Sequence, residues 1–134
     1  MEQPGADGAA AAATYFMSLY PYVLATGDLA AWDAMSAPDC DFCNNTRTEV
    51  ERLRAAEQRN LGGITVLAAG GTDLGSNGWH SARLEIEIHE SSDVDAAGIV
   101  VSSRDGGTYS VDLALTWSGG WLIDSAGIVG TPRT

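Results

Sequence analysis

Positive charge is scarce in this chain: 7 basic residues stand against 18 acidic ones, a formal charge of −11. A surface this acidic repels phosphate backbones and anionic headgroups. Nucleic-acid binding and attachment to anionic membranes are therefore disfavoured, and solubility is the plain reading of the excess. Long apolar runs are missing too. None approaches the ~18 residues that span a bilayer, so no direct membrane insertion is expected. The alanines at 9–13 lack the basic flank and cleavage pattern of a signal peptide. Histidine is limited to His80 and His89, and cysteine to Cys40 and Cys43. The sequence holds no phosphate-cradling glycine loop, nucleophile elbow or zincin motif. Its 134 residues suffice for one domain with a core and are too few for two comfortable ones.

What is present falls into two halves. Residues 1–8 are polar and glycine-bearing and read as a flexible lead-in, residues 9–130 as a single domain, and 131–134 as a short tail. Ala13, Phe16, Leu19, Tyr20, Val23 and Leu24 recur at helical spacing and predict a helix over 9–25, with a kink or break at Pro21. Gly27 suits its end and Asp28 the N-cap of a short second helix carrying Leu29, Trp32 and Met35. Thr46-Arg47-Thr48-Glu49 fits a capping box for a third helix ending near Asn60.

From Ile64 the period changes to two. A strand over 64–68 leads into a glycine-rich loop at 70–78. Residues 79–90 alternate, with Ala82, Leu84, Ile86 and Ile88 on one face and Ser81, Arg83, Glu85 and Glu87 on the other. A short strand at 99–101 follows a polar loop. Residues 109–117 alternate again, and Ser118-Gly119-Gly120 turns into a last strand at Trp121. Helices first and antiparallel strands after predict an α+β domain, with three helices on one face of a curved sheet. The other face, with Arg83, Glu85, Glu87, Ser110, Asp112 and Thr116, is polar enough to meet water, so a monomer is expected.

This arrangement, ending in a Gly-Gly-Trp-Leu-Ile hairpin, resembles the nuclear transport factor 2-like, or cystatin-like, cone. Tyr15-Phe16, Ala25-Thr26-Gly27-Asp28, Pro38-Asp39-Cys40-Asp41-Phe42-Cys43 and Trp121-Leu122-Ile123 resemble a family of actinobacterial secreted or lipid-anchored domains of unknown function, over residues 10–129. That resemblance implies an extracytoplasmic location, reached through a leader absent from this chain, and no particular activity.

The Cys-Asp-Phe-Cys pair admits three readings: a disulfide staple, a redox centre, or half of a metal site. A metal needs more ligands than two thiolates. His80 and His89 lie an odd number of residues apart on one strand, hence on opposite faces, and no carboxylate is singled out by spacing. A thioredoxin-like pair follows a strand, and here helices come first. A Cys40–Cys43 disulfide is the reading followed, worth about 2 kcal/mol in the loop-entropy account.

Isomerase or dehydratase chemistry in a cone needs an inward acid or base and a hydroxyl facing the developing oxyanion. Strand parity turns His80, Tyr109, Trp117 and Trp121 inward and Glu85, Glu87, Asp112 and Asp124 outward. The catalytic candidates are therefore His80 with Tyr15, Tyr20 or Tyr109, against a plain reading in which His80 touches solvent and the tyrosines fill the core. Trp32, Trp117 and Trp121 are the candidates for a ligand wall, or else core beneath the short helix. Asn44-Asn45-Thr46 matches a glycosylation sequon and also suits helix capping. The sequence thus points to a non-catalytic envelope or cell-surface domain that binds an unknown protein or small ligand, with no cofactor and no metal. A small-molecule isomerase or hydrolase is the alternative, and a thiol redox protein a third reading.

Overall fold

The computed structural model describes residues 1–75 and 77–129. Residue 130 and the tail read at 131–134 lie outside them. The first helix, α1 (Ala6–Thr26), starts three residues earlier than its periodicity suggests and runs through Pro21 without a break. An interior proline costs about 3 kcal/mol. Here the burial of Ala9, Ala13, Phe16 and Val23 along one face of α1 outweighs it. Gly27 closes the helix in the left-handed conformation. The N-cap of α2 (Ala30–Met35) is Leu29 and not Asp28, which sits one residue further out and accepts a hydrogen bond from the Ala30 backbone N–H at 3.1 Å.

The third helix, α3 (Asp41–Ala55), begins at the cysteines, not at Thr46. Cys40 is its N-cap, and its Sγ accepts from the Cys43 N–H at 3.2 Å. The anticipated capping box thus lies inside the helix, with Thr46 buried. The helix also stops short of Asn60, which belongs to a strand.

Seven strands follow: β1 (Arg59–Leu61), β2 (Ile64–Asp73), β3 (Trp79–Ile88), β4 (Ser91–Val94), β5 (Val100–Arg104), β6 (Gly107–Trp117) and β7 (Trp121–Ile128). They form a three-stranded sheet ordered β1-β4-β5 and a four-stranded sheet ordered β2-β3-β6-β7, antiparallel throughout. Strand β2 takes in residues 70–73, the first part of the loop expected at 70–78. Gly71 is there for close approach and not for a turn, since a Cβ at that position would meet the Ala6 carbonyl of α1 at 2.1 Å.

The two sheets are one surface folded along a crease. The chain crosses from one to the other three times, at 62–63, 89–90 and 105–106, and neighbouring strands stay neighbours on both sides. The His89 N–H donates to the Gly63 carbonyl across the crease at 2.9 Å. Backbones come so close here that a Cβ at Gly106 would lie 2.2 Å from the Ile88 carbonyl oxygen. The fold is therefore an α+β cone whose helices cover the concave face. Leu84, Ile86, Leu113, Leu115 and Ile123 from the large sheet meet Phe16, Trp32 and Val50 from the helices. On the convex face Arg83 pairs with Asp112 through two bonds of 2.7 and 2.9 Å, Ser110 donates to Glu85, and Thr116 to Asp124.

Candidate functional site

The crease holds an open cavity of about 300 Å³. Helix α1 supplies Tyr20, Pro21 and Leu24 to its wall, and α3 supplies Glu49 and Leu53. The three crossings contribute Gly62-Gly63, His89 and Arg104-Asp105, while Ile64, Ile88 and Tyr109 of the large sheet form the floor. A second, apolar chamber of about 210 Å³ shares Tyr20, Ile64 and Ile88 with the first. It continues between Met17, Phe42, Ile86, Val111 and Ala126.

A polar clasp stands beside the mouth. Asp93 of β4 is buried and accepts from Asn60 Nδ2 at 2.8 Å and Ser102 Oγ at 3.0 Å. Arg104 Nη2 lies 3.4 Å and Arg52 Nη2 3.6 Å from its Oδ2. Burial alone would push this carboxyl up. The Asn60 and Ser102 hydrogen bonds with the two guanidiniums outweigh burial and hold it below the ordinary carboxylate range. Glu49 pairs with Arg52 one turn along α3 and lies 4.0 Å from Arg104, so helix and small sheet are joined through charge. Burial pushes the Tyr20 hydroxyl up, Arg104 opposes this and Glu49 adds to it. Neither the Tyr20 nor the Tyr109 hydroxyl has a hydrogen-bond partner among the described residues.

Of the candidate catalytic residues, this cavity brings together Tyr20 and Tyr109 only. Tyr15 is exposed on the outside of α1. His80 faces Leu115 in the sheet register and Tyr109 faces Ile86. The six steps along β3 from His80 to Ile86 place the two roughly 20 Å apart. His80 is buried: its Nδ1 lies 2.7 Å from the Gly78 carbonyl, and its Nε2 accepts from the Gly5 N–H at 3.2 Å. Both nitrogens are spent on tying the start of α1 to the β2–β3 connection.

The candidate tryptophans stand away from the cavity. Trp32 is fully buried, stacked on Phe16 with ring centroids 4.0 Å apart, and donates from Nε1 to the Cys43 carbonyl at 3.1 Å. Trp121 packs edge-on against His80 and Trp117. Its indole N–H is buried without a partner among the described residues.

Cys40 and Cys43 are joined by a disulfide, both fully buried. The Asn44 side chain of the sequon is engaged with the Pro38 carbonyl and Arg47. Among the described residues no group of three His, Cys, Asp or Glu side chains could hold a metal ion, and no helix is long and apolar enough to cross a membrane. The residues that sequence reasoning missed are Glu49, Asn60, His89, Asp93, Arg104 and Asp105. The only trace of their convergence is a pair of Gly-Gly dipeptides, at 62–63 and 106–107, which mark the crease.

Comparison with solved structures gives the same architecture. The intermembrane space region of the chloroplast protein ARC6 superposes with a TM-score of 0.62 at 13% identity, over 91% of this chain and 97% of that one. An uncharacterized protein with a cystatin-like fold from Caulobacter vibrioides gives 0.55 at 10% identity, over 91% and 90%. At such identities the likeness concerns the fold alone. Curated protein sequences give no match. The model of the family of unknown function DUF6318 matches residues 1–126, nearly the whole described fold with its crease and disulfide, and the chain belongs to that family.

Proposed function

We propose that this chain is an extracytoplasmic, non-catalytic binding domain, secreted or lipid-anchored at the cell envelope and monomeric, whose site is the crease cavity. The observation that carries this reading is the cavity itself: two tyrosines and charged side chains line an open space that shares Tyr20, Ile64 and Ile88 with an apolar chamber. The buried disulfide supports an oxidising compartment. Isomerase- or hydrolase-type chemistry in the same cavity is the second reading, favoured only by the two tyrosines lining one space.

A small-molecule fragment screen read by ¹⁵N–¹H correlation spectra tests the site. Binders are expected to shift amides at residues 62–64, 88–91 and 104–109. Binders that map elsewhere, or none at all, would sink the proposal. Turnover of a binder that disappears in Tyr20→Phe or Tyr109→Phe while affinity stays would move the assignment to the enzyme. Cell fractionation with alkylation of free thiols tests the compartment, where a reduced, cytoplasmic pool is the refuting outcome.

A further inference from the structure

The charges around the cavity do not cancel evenly. Arg104 is matched by Asp93 and Glu49, and Arg52 by the same two carboxylates, so two guanidiniums meet two carboxylates. His89 Nε2 is occupied by Thr65 Oγ1 at 2.8 Å, with Glu87 3.6 Å away. That leaves Asp105, exposed at the mouth, with no ion-pair or hydrogen-bond partner among the described residues. Tyr20 and Tyr109 line the same cavity, and their unpartnered oxygens can each accept a hydrogen bond. Three acceptors and one surplus negative charge suit a head group that only donates, which describes an ammonium. The −11 charge of the whole chain works in the same direction by concentrating cations at its surface.

The second chamber sets the rest of the ligand. Its wall of Met17, Phe42, Ile86, Val111 and Ala126 offers no charged group. Tyr20, Ile64 and Ile88 line both spaces, so the chamber lies directly against the cavity. A ligand filling both spaces is polar at one end only.

We propose that the crease cavity takes a cationic amphipath, with an ammonium head among Tyr20, Tyr109 and Asp105 and an apolar body in the chamber floored by Ile86 and Val111. This inference rests on the cavity being the binding site and adds the chemical class of its ligand.

Three probes test it by titration into the ¹⁵N-labelled protein: n-octylammonium, n-octanoate and methylammonium. Octylammonium is expected to saturate, with shifts at Asp105 and at Ala126. Octanoate is expected to bind about tenfold more weakly, since its head meets the surplus carboxylate. Methylammonium, lacking the body, is expected not to saturate over the same range. Asp105→Asn, on the surface, should erase most of the preference for octylammonium over octanoate. Ala126→Leu, which adds volume to the chamber, should weaken both alkyl probes; its circular dichroism and melting curve establish that the fold is kept. Octanoate binding as tightly as octylammonium in the cavity would overturn the cationic assignment and leave the binding site standing. Equal binding of methylammonium would overturn the role of the chamber. Binding indifferent to both variants, or no binding by any probe, would overturn the inference, and the fragment screen separately decides whether the cavity binds at all.

Discussion

Cys40 and Cys43 are fully buried, so an attacking thiolate has no approach to either sulfur. The bridge is expected to survive mild reductant in the native protein and to open once the chain is unfolded. Thiol counts with and without denaturant check this, and two free thiols appearing under native conditions would restore the redox reading. His80 makes the complementary case. Its type and inward parity suggested chemistry, whereas its two ring nitrogens hold Gly5 and Gly78 in place. His80→Ala should lower stability by about 1–3 kcal/mol, the cost of leaving half-buried backbone groups unpaired and of emptying the buried ring's place. It should also loosen the start of α1 and leave ligand binding at the crease unchanged. Urea denaturation and amide exchange at residues 5–9 read the first two effects, and a loss of binding equal to that of a Tyr20 variant would return His80 to the site.

Helix α3 and the short strands β4 and β5 depend on one another through Asp93. Its carboxyl titrates below the unfolded value of about 3.9. The stabilisation it gives is therefore present above that value and lost as pH falls through the lower folded one. The unfolding midpoint followed from pH 6 downwards should drop through this range, and Asp93→Asn should flatten the drop while costing about 1.5–3 kcal/mol at neutral pH. A profile identical to that of the unsubstituted protein would remove Asp93 from the clasp. Gly106→Ala should cost about 1–3 kcal/mol, because the new methyl is driven onto the Ile88 carbonyl. A melting temperature unchanged by the substitution would contradict the close packing of the crease. Legibility in the sequence follows element length. The alternation of residues 79–90 and 109–117 exposes the core face of the large sheet and places Tyr109 inward. The strands β1, β4 and β5 hold three to five residues each, with polar side chains, and show no usable period. Pro21 predicts a break that packing overrides. The start of α3 is hidden because a disulfide sulfur takes the capping role that sequence rules reserve for oxygen. Tyr20 and Tyr109 were legible as inward aromatics, whereas Arg104 and Asp105 join them only through a bend that no local pattern encodes.

The whole molecule carries its basic charge on seven arginines and no lysine. Arg47, Arg52, Arg83 and Arg104 are each held against a carboxylate. Apart from the Arg104 pair with buried Asp93, these pairs are exposed and contribute little, and the remaining −11 repels itself across the surface. Raising salt from a few millimolar to physiological strength should therefore raise the melting temperature, by roughly 2–5 °C for a domain of this size. A fall would show that the arginine pairs outweigh the repulsion. The cavity wall and the bend between the sheets are built from the same three crossings, so the shape of one is tied to the angle of the other. A lineage adapting this domain to a bulkier guest must refold its corner to do so. A substitution that merely stiffens that corner narrows the range of guests, even when it touches none of them.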